Sequence, residues 1–250
     1  MPRLTRTIIP RIKKSIAERG ILASILRSVL LPIHLFREHR DALAAAQEHQ
    51  RSEFDAAYGV ETNEGARGRT YLSDLEIPSA NWIYGVDYIA IEPERFRALL
   101  SQLLIRFEDF TFVDFGSGKG RALLLAAEFP FKKIVGVEFA PELDAVAQQN
   151  IKNYRNPGRR CMAIESVCMD FSGYELPGGP CVFYFYNPCE GRVLAKTLEN
   201  IRKSLEKEPR TIYALYVAPA HEEMLRSAGF LIPVTHDPAR NFCIYWNAAA

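Results

Sequence analysis

The chain has 250 residues, 48% of them hydrophobic and 24% charged, which is the composition of an ordinary globular protein with one sizeable core. Its five cysteines include no Cys-x-x-Cys pair, which argues against a metal cage or a disulfide framework and favours reduced thiols in a cytoplasmic protein. The net charge of +1 conceals a basic start: residues 1–40 hold nine basic and two acidic residues, a net charge of +7, so the remaining 210 residues sum to −6.

Residues 1–50 are predicted to form a basic, helical N-terminal extension. Within it, the stretch 21–36 places apolar residues at helical spacing. This stretch has 16 residues and contains Arg27 and Pro32, so we do not expect it to span a membrane or to act as a secretory signal. Two interpretations stay open: a helix that packs on its own domain or on a partner chain, and a helix in peripheral contact with an anionic membrane through residues 1–40. An organellar presequence fits less well, because the stretch has an acidic residue before it and no cleavage context.

Beyond the extension, residues 51–92 show no clean period and are predicted to connect it to a main domain, residues 93–250, where helix and strand patterns alternate. Helices are predicted at 93–107, 121–129, 141–154, 194–205 and 220–228. Strands are predicted at 111–115, 133–139, 161–169, 181–187, 211–217, 230–234 and 241–247. Such alternation indicates a parallel sheet covered on both faces. The six residues between the last two strands are too few for a crossover helix, so these strands are predicted to form an antiparallel hairpin.

A turn with glycine at every second position, Gly116, Gly118 and Gly120, joins the first of these strands to the helix that follows. Bare glycines at the end of a parallel strand would let a nucleotide-like ligand lie against the backbone, the alternative being a tight turn without a ligand. The spacing excludes a phosphate-binding Walker loop, so Lys119 is predicted to be a solvated turn residue. Arg121 occupies the place where a dinucleotide-binding fingerprint needs its next small residue, which excludes that motif as well.

The segment resembles the cofactor motif of the class I S-adenosylmethionine-dependent methyltransferases, in which an acidic residue, here Asp114, precedes a Gly-x-Gly-x-Gly turn. The resemblance covers roughly residues 93–247 and includes the reversed final hairpin. It implies an α/β fold: a Rossmann-like, seven-stranded, mostly parallel sheet with an antiparallel C-terminal hairpin and helices on both faces. It also implies S-adenosylmethionine (SAM) as the cofactor and methyl transfer as the reaction.

The resemblance further implies which residues hold the cofactor. Glu138, at the end of the second strand, would bind the ribose hydroxyls, because a carboxylate offers two acceptor oxygens to two neighbouring hydroxyls. Asp170 and Phe171, after the third strand, would bind the adenine, and Asp114 would lie near the methionyl amino group. The alternative for Glu138 is a surface acid at the end of a strand, and the alternative for Asp170 is a plain loop acid. Asp114 could instead only brace the turn. The cofactor-binding residues expected on this basis are Asp114, Gly116, Ser117, Gly118, Gly120, Glu138, Phe139, Asp170, Phe171 and Asn187.

The acceptor site is expected at the end of the fourth strand. Asn187 and Pro188 match the first half of the Asn/Asp-Pro-Pro-Tyr/Phe motif of amino-group methyltransferases, whereas the following Cys-Glu pair departs from the second half and gives no support to a flipped nucleobase acceptor. Tyr84 and Tyr88, in the segment before the first strand, are candidates for a lid over the cofactor, or for aromatic anchors of a surface loop. The expected catalytic residues are Asn187, Pro188 and Tyr88.

The sequence therefore predicts a SAM-dependent methyltransferase with an unidentified acceptor, a protein lysine or other amino group or a small molecule; nucleic acid is not expected. No metal site is expected, because the five histidines are scattered. The alternative is a cofactor-binding pseudoenzyme or regulatory module without turnover, tethered through the basic N-terminal helix.

Overall fold

The computed structural model describes residues 53–63 and 69–247. The predicted N-terminal extension, residues 1–50, lies outside these ranges, as do its helix and its membrane contact, and the domain boundaries stay predictions. No helix within the described ranges has the length and apolar character that crossing a membrane requires.

Strands and helices alternate through most of the described chain. The strands are β1 (Arg69–Thr70), β2 (Tyr88–Ile89), β3 (Thr111–Phe115), β4 (Lys133–Glu138), β5 (Ile164–Cys168), β6 (Cys181–Tyr186), β7 (Ile212–Val217), β8 (Ile232–Asp237) and β9 (Phe242–Trp246). Residues 53–58 are helical, and the helices that follow are α1 (Pro93–Leu100), α2 (Arg121–Ala126), α3 (Pro141–Asn153), α4 (Gly191–Lys207) and α5 (Glu222–Arg226). Short 3-10 turns occupy Leu72–Asp74, Ala80–Tyr84, Phe107–Asp109 and Phe171–Gly173.

Seven strands form one sheet in the order β5-β4-β3-β6-β7-β9-β8, while β1 and β2 pair as a separate two-stranded sheet. The first five of the seven run parallel, and β9 lies antiparallel between β7 and β8. This order confirms the predicted Rossmann-like sheet with a reversed C-terminal hairpin. The chain fills one half of the sheet from β3 outward through β4 and β5, and then returns to β6 on the other side of β3.

The central strands are buried on both faces, as a parallel sheet between two helical layers requires. On one face Phe112 and Tyr184 pack against Phe96 of α1, with ring centroids 6.0 and 5.4 Å away. On the other face Phe115 and Phe185 stack 4.9 Å apart and belong to the core that α4 covers. The five cysteines are all free thiols.

Several predicted boundaries are wrong, among them the ends of α1, α2 and β8. Helix α1 ends at Leu100 and not at residue 107, because the main-chain N–H groups of Gln102 and Leu103 bond to carbonyls three positions back instead of four. Phe107 packs on the core from its own 3-10 turn. In α2 the same tightening ends the helix at Ala126 instead of residue 129. Strand β8 continues to Asp237, which shortens the hairpin connection. It tolerates Pro233 because it is the edge strand.

Candidate functional site

The carboxyl ends of β3, β4 and β6 border a cleft of about 790 Å³, part of which is open to solvent. The cleft lies where the chain leaves β3 toward β4 on one side and returns to β6 on the other, the position at which open α/β sheets bind ligands. The predicted site residues that line it are Tyr88, Asp114, Gly116, Ser117, Glu138, Phe139, Asp170, Phe171, Asn187 and Pro188.

The glycine turn itself approaches protein side chains. Gly116, Gly118 and Gly120 all have positive φ, at 84°, 53° and 84°. A Cβ atom at Gly116 would lie 2.7 Å from Cβ of Pro188, and one at Gly118 would lie 2.0 Å from the ring of Tyr88. The interpretation that the glycines are bare in order to admit a ligand therefore needs correction: at these two positions the backbone conformation and two neighbouring side chains already exclude a Cβ atom. Gly118 and Gly120 do not line the cleft.

Glu138 ends β4 and supports the turn from below. Its Oε2 accepts a hydrogen bond from the main-chain N–H of Gly118 at 2.7 Å, and its Oε1 accepts one from Ala140 at 2.9 Å. Burial raises the pKa of Glu138 to about 7, against the lowering effect of these N–H donors. Each oxygen keeps a further lone pair, so the carboxylate can accept additional hydrogen bonds from a ligand in the cleft.

Three buried polar atoms, in residues that line the cleft, have no hydrogen-bond partner among the described residues. They are Oδ1 of Asp114, Oγ of Ser117 and the hydroxyl of Tyr184. Asp114 and Tyr184 are register partners on β3 and β6, and all three residues line the cleft. Burial, with a smaller contribution from the charge of Glu138, raises the pKa of Asp114 well above its ordinary value. Buried polar groups in proteins are almost always hydrogen-bonded, so these three atoms indicate a place for ligand atoms.

Asp170 follows β5 and already has three donors. Its Oδ2 accepts from Ser79 at 2.8 Å and from the Asn81 amide at 2.7 Å, and its Oδ1 accepts from the Ser172 main chain at 2.9 Å. Burial acts to raise the pKa of Asp170, but these hydrogen bonds outweigh it and hold the pKa below the ordinary value. Asp170 is thus an ionised residue that caps the turn containing Phe171 and fastens it to residues 79–81.

Asn187 directly follows β6 in a left-handed conformation, φ 40°, which few residues other than glycine adopt. Its Oδ1 accepts a hydrogen bond from the hydroxyl of Tyr216, 3.1 Å away on β7. Burial raises the pKa of the Tyr216 phenol, so the hydroxyl stays protonated and acts as the donor. The amide oxygen expected to accept from a nucleophile is therefore already engaged, and sequence reasoning missed Tyr216 because nothing in β7 distinguishes it from a core tyrosine.

The two lid candidates lie in different surroundings. The hydroxyl of Tyr88 donates to the carbonyl of Thr62 at 2.8 Å, and its ring packs against Gly118. Tyr88 is therefore a packing residue at the cleft. Tyr84 does not line the cleft, and its hydroxyl accepts from Arg192 at 3.2 Å. Lys119 is also misjudged from the sequence, because its side chain is 6% exposed and lies 3.7 Å from Oε1 of Glu61.

No group of three or more metal-ligating side chains comes together within residues 53–63 and 69–247. Among the groups that line the cleft, four are acidic and one is basic: Asp87, Asp114, Glu138, Asp170 and Arg121. Arg121 forms an ion pair with Asp55, 3.1 Å away. The cleft thus holds more acidic than basic side chains.

The strand order, the reversed hairpin and the position of the acidic glycine turn give the chain the architecture of the class I SAM-dependent methyltransferases. No family model matches the chain, and no curated protein matches it. Solved structures to which it is similar include a predicted N6-adenine-specific DNA methylase from Listeria monocytogenes, at 12% identity, covering 64% of this chain and 52% of that one with a TM-score of 0.47.

Two further similar structures are described with a cofactor or its product. An RNA methyltransferase from Salinibacter ruber, in complex with S-adenosyl-L-homocysteine, has 16% identity, coverage of 65% of this chain and 94% of that one, and a TM-score of 0.43. Human N-acetylserotonin methyltransferase, in complex with SAM, has 14% identity, coverage of 62% and 52%, and a TM-score of 0.45. The chain thus spans about half the length of the Listeria and human proteins.

Proposed function

We propose that the protein is a SAM-dependent methyltransferase. The observation that supports this most is the buried Asp114 carboxyl group, which lies beside Glu138 at the switch point of a sheet with this strand order and has an oxygen without a partner among the described residues. SAM carries positive charge at its sulfonium and α-amino groups and two hydroxyls on its ribose. The acidic side chains and free acceptor atoms of the cleft suit a cationic ligand with hydrogen-bond donors.

The residues present fit the parts of such a ligand. Glu138 keeps acceptor capacity for two neighbouring hydroxyls, and Asp114 would accept from an ammonium group. Phe139 and Phe171 supply apolar surface beside the carboxylates. Asp170, with three donors already bound, would hold the adenine side of the cleft in shape more than it would contact the ring.

When bound, SAM would supply the activated methyl group. The chain would contribute binding, orientation and exclusion of water. Tyr216 and Pro188 hold Asn187 at the edge of the cleft, where its amide would help to orient the acceptor.

The acceptor is proposed to be a protein or a small molecule. The acidic residues that line the cleft disfavour the approach of a phosphate backbone, which supports the expectation against nucleic acid. The non-catalytic alternative depends on residues 1–50, outside the described ranges, and is not favoured. A cytoplasmic location stays a prediction.

The reaction can be tested by incubating the protein with methyl-labelled SAM and cell extract and then separating protein, lipid, nucleic acid and small molecules. We expect label in the protein or the small-molecule fraction, and less of it with Asn187→Ala. Label in no fraction, in spite of measured SAM binding, would contradict the proposed reaction and favour a module without turnover.

Replacing Glu138 by alanine should weaken SAM binding about 10- to 150-fold, because loss of hydrogen bonds to a charged group is worth about 1.5–3 kcal/mol. Isothermal titration calorimetry measures the change. Glu165→Ala is the matched control, since Glu165 on β5 is 45% exposed and forms an ion pair with Lys133 at 2.7 Å, away from the cleft lining. Equal affinity in the two variants would remove Glu138 from the cofactor site.

A further inference from the structure

Residues 53–63, which we name the cap segment, are closed on themselves by Asp55. This carboxylate accepts hydrogen bonds from the main-chain N–H groups of Thr62 and Asn63 at 2.7 and 2.9 Å, and from the Thr62 hydroxyl at 2.6 Å. Thr62 is fully buried. These hydrogen bonds fix the conformation of the cap segment, so that side chains from other elements can bind it at defined positions.

Arg121 binds the cap segment to the C-terminal end of the glycine turn. It is the first residue of α2 and is 1% exposed. Its Nε donates to the Thr62 hydroxyl oxygen, and its second terminal nitrogen donates to Asp55 at 3.1 Å. The guanidinium also lies over the ring of Phe54, 4.3 Å from the centroid. Arginine suits this role because its planar fork reaches two acceptors at once.

Asn150 of α3 binds the cap segment to the middle of the turn. Its Oδ1 accepts from the main-chain N–H of Glu61 at 2.8 Å, and its Nδ2 donates to the carbonyls of Glu61 and Lys119, each at 2.9 Å. Lys119 stands between the last two glycines of the turn. One buried amide thus joins the cap segment, α3 and the glycine turn.

A third connection runs from the cap segment to the cofactor carboxylate. The Thr62 carbonyl accepts from the hydroxyl of Tyr88, whose ring lies where a Cβ atom of Gly118 would be. The N–H of Gly118 in turn donates to Glu138. The cap segment is therefore linked to the turn through Arg121, Asn150 and Tyr88, without itself lining the cleft.

We propose that Asn150 and Arg121 are positioning residues of the cofactor site, which act through the cap segment and the glycine turn on the N–H of Gly118 and on Glu138. The inference rests on the proposed function. The proposal assigns the cap segment a role in the cofactor site. In this account the glycine turn is covered by residues 53–63 and not by Tyr84.

The test compares Asn150→Asp with Asn247→Asp. Asn247 is a matched control, because it is also buried and its amide also makes hydrogen bonds to the main chain. Its Oδ1 accepts from the N–H of Ile212 at 2.7 Å, and its Nδ2 donates to the carbonyl of Arg210 at 2.8 Å. These contacts lie at the start of β7, at the end of the sheet opposite the cleft. Both variants keep the acceptor oxygen and lose the amide donors. Binding of S-adenosylhomocysteine is measured by calorimetry, and hydrogen exchange is followed at the Gly118 amide.

We expect both variants to lower the unfolding temperature, but only Asn150→Asp to weaken binding at least tenfold and to speed exchange at Gly118. Unchanged affinity in Asn150→Asp, with binding by the wild type intact, would overturn the inference. Absence of binding by the wild type would instead contradict the proposed function. If Asn150→Asp does not fold, Tyr88→Phe replaces it: loss of one hydroxyl should weaken binding at least threefold, and undiminished affinity would likewise overturn the inference.

Discussion

Replacing Asp114 by asparagine is expected to stabilise the ligand-free protein and, at the same time, to weaken its binding of SAM. Asparagine keeps the shape of the side chain but removes a buried carboxylate, one oxygen of which has no partner among the described residues. An ionised group in such a place costs several kcal/mol, whereas its loss would deprive a cationic ligand of an interaction worth about 1.5–3 kcal/mol.

The stabilisation should depend on pH. Because burial raises the pKa of Asp114 above that of the unfolded chain, the folded state holds more protons, and stability falls as the pH rises from about 4 through the folded-state pKa. Glu138, with a pKa of about 7, acts in the same direction. Urea unfolding at pH 5 and pH 8 should therefore show a smaller loss of stability in Asp114→Asn than in the wild type.

Asp109→Asn is the control for this prediction, because the Asp109 side chain is 54% exposed and forms an ion pair with Arg106 at 3.7 Å. It should change the free energy of unfolding by no more than about 0.5 kcal/mol, and it should leave the affinity for SAM unchanged. If Asp114→Asn is less stable than the wild type at pH 8, or binds SAM as tightly, Asp114 is not a carboxylate that destabilises the free protein and binds a cationic ligand.

Replacing Gly118 by alanine is expected to abolish cofactor binding and to destabilise the fold. The residue has φ 53°, and its new Cβ atom would lie 2.0 Å from the Tyr88 ring. The backbone conformation alone costs about 1–2 kcal/mol for an alanine, and displacement of the ring breaks the contact with Thr62. Thermal unfolding and calorimetry with SAM measure the two effects.

Gly229→Ala separates the two contributions, since Gly229 has φ 76° and open space around its Cβ position. It should show the backbone penalty alone and normal binding. Combining Gly118→Ala with Tyr88→Ala removes the clash and should recover part of the lost stability. Gly118→Ala with wild-type affinity would show that the turn can shift without consequence for the site.

The sheet and its central turn were predictable because local patterns specify them. The buried run in β3, the glycines after it and the helix that follows occupy consecutive positions, so the sequence shows them directly. The place of Glu138 at the carboxyl end of the next strand was predictable from the same kind of pattern. The end of α1 was not predictable, because Phe107 continues the helical period although it reaches the core from a separate turn.

The cap segment was not predictable because long-range contacts define it. Arg121 and Thr62 are 59 positions apart, and Asn150 and Glu61 are 89 apart, so no periodic pattern links them. The sequence predicts Tyr88 as a lid candidate, and the residue lines the cleft, but its hydroxyl donates to the Thr62 carbonyl, a contact that no local pattern indicates. The burial of Arg121 was equally hidden, because an arginine after a glycine turn gives no signal of its own.

Calorimetric titration of the wild-type protein with SAM and S-adenosylhomocysteine, at pH 7 in two buffers of different ionisation enthalpy, tests the central claim most directly. We expect one saturable site for each ligand, with SAM bound more tightly because of its extra positive charge. Protons should be released on binding, because Glu138, with a pKa of about 7, and Asp114 must be ionised to hold the ligand. Absence of heat with either ligand at about 1 mM, a concentration that detects even weak sites, or uptake of protons on binding, would contradict the account.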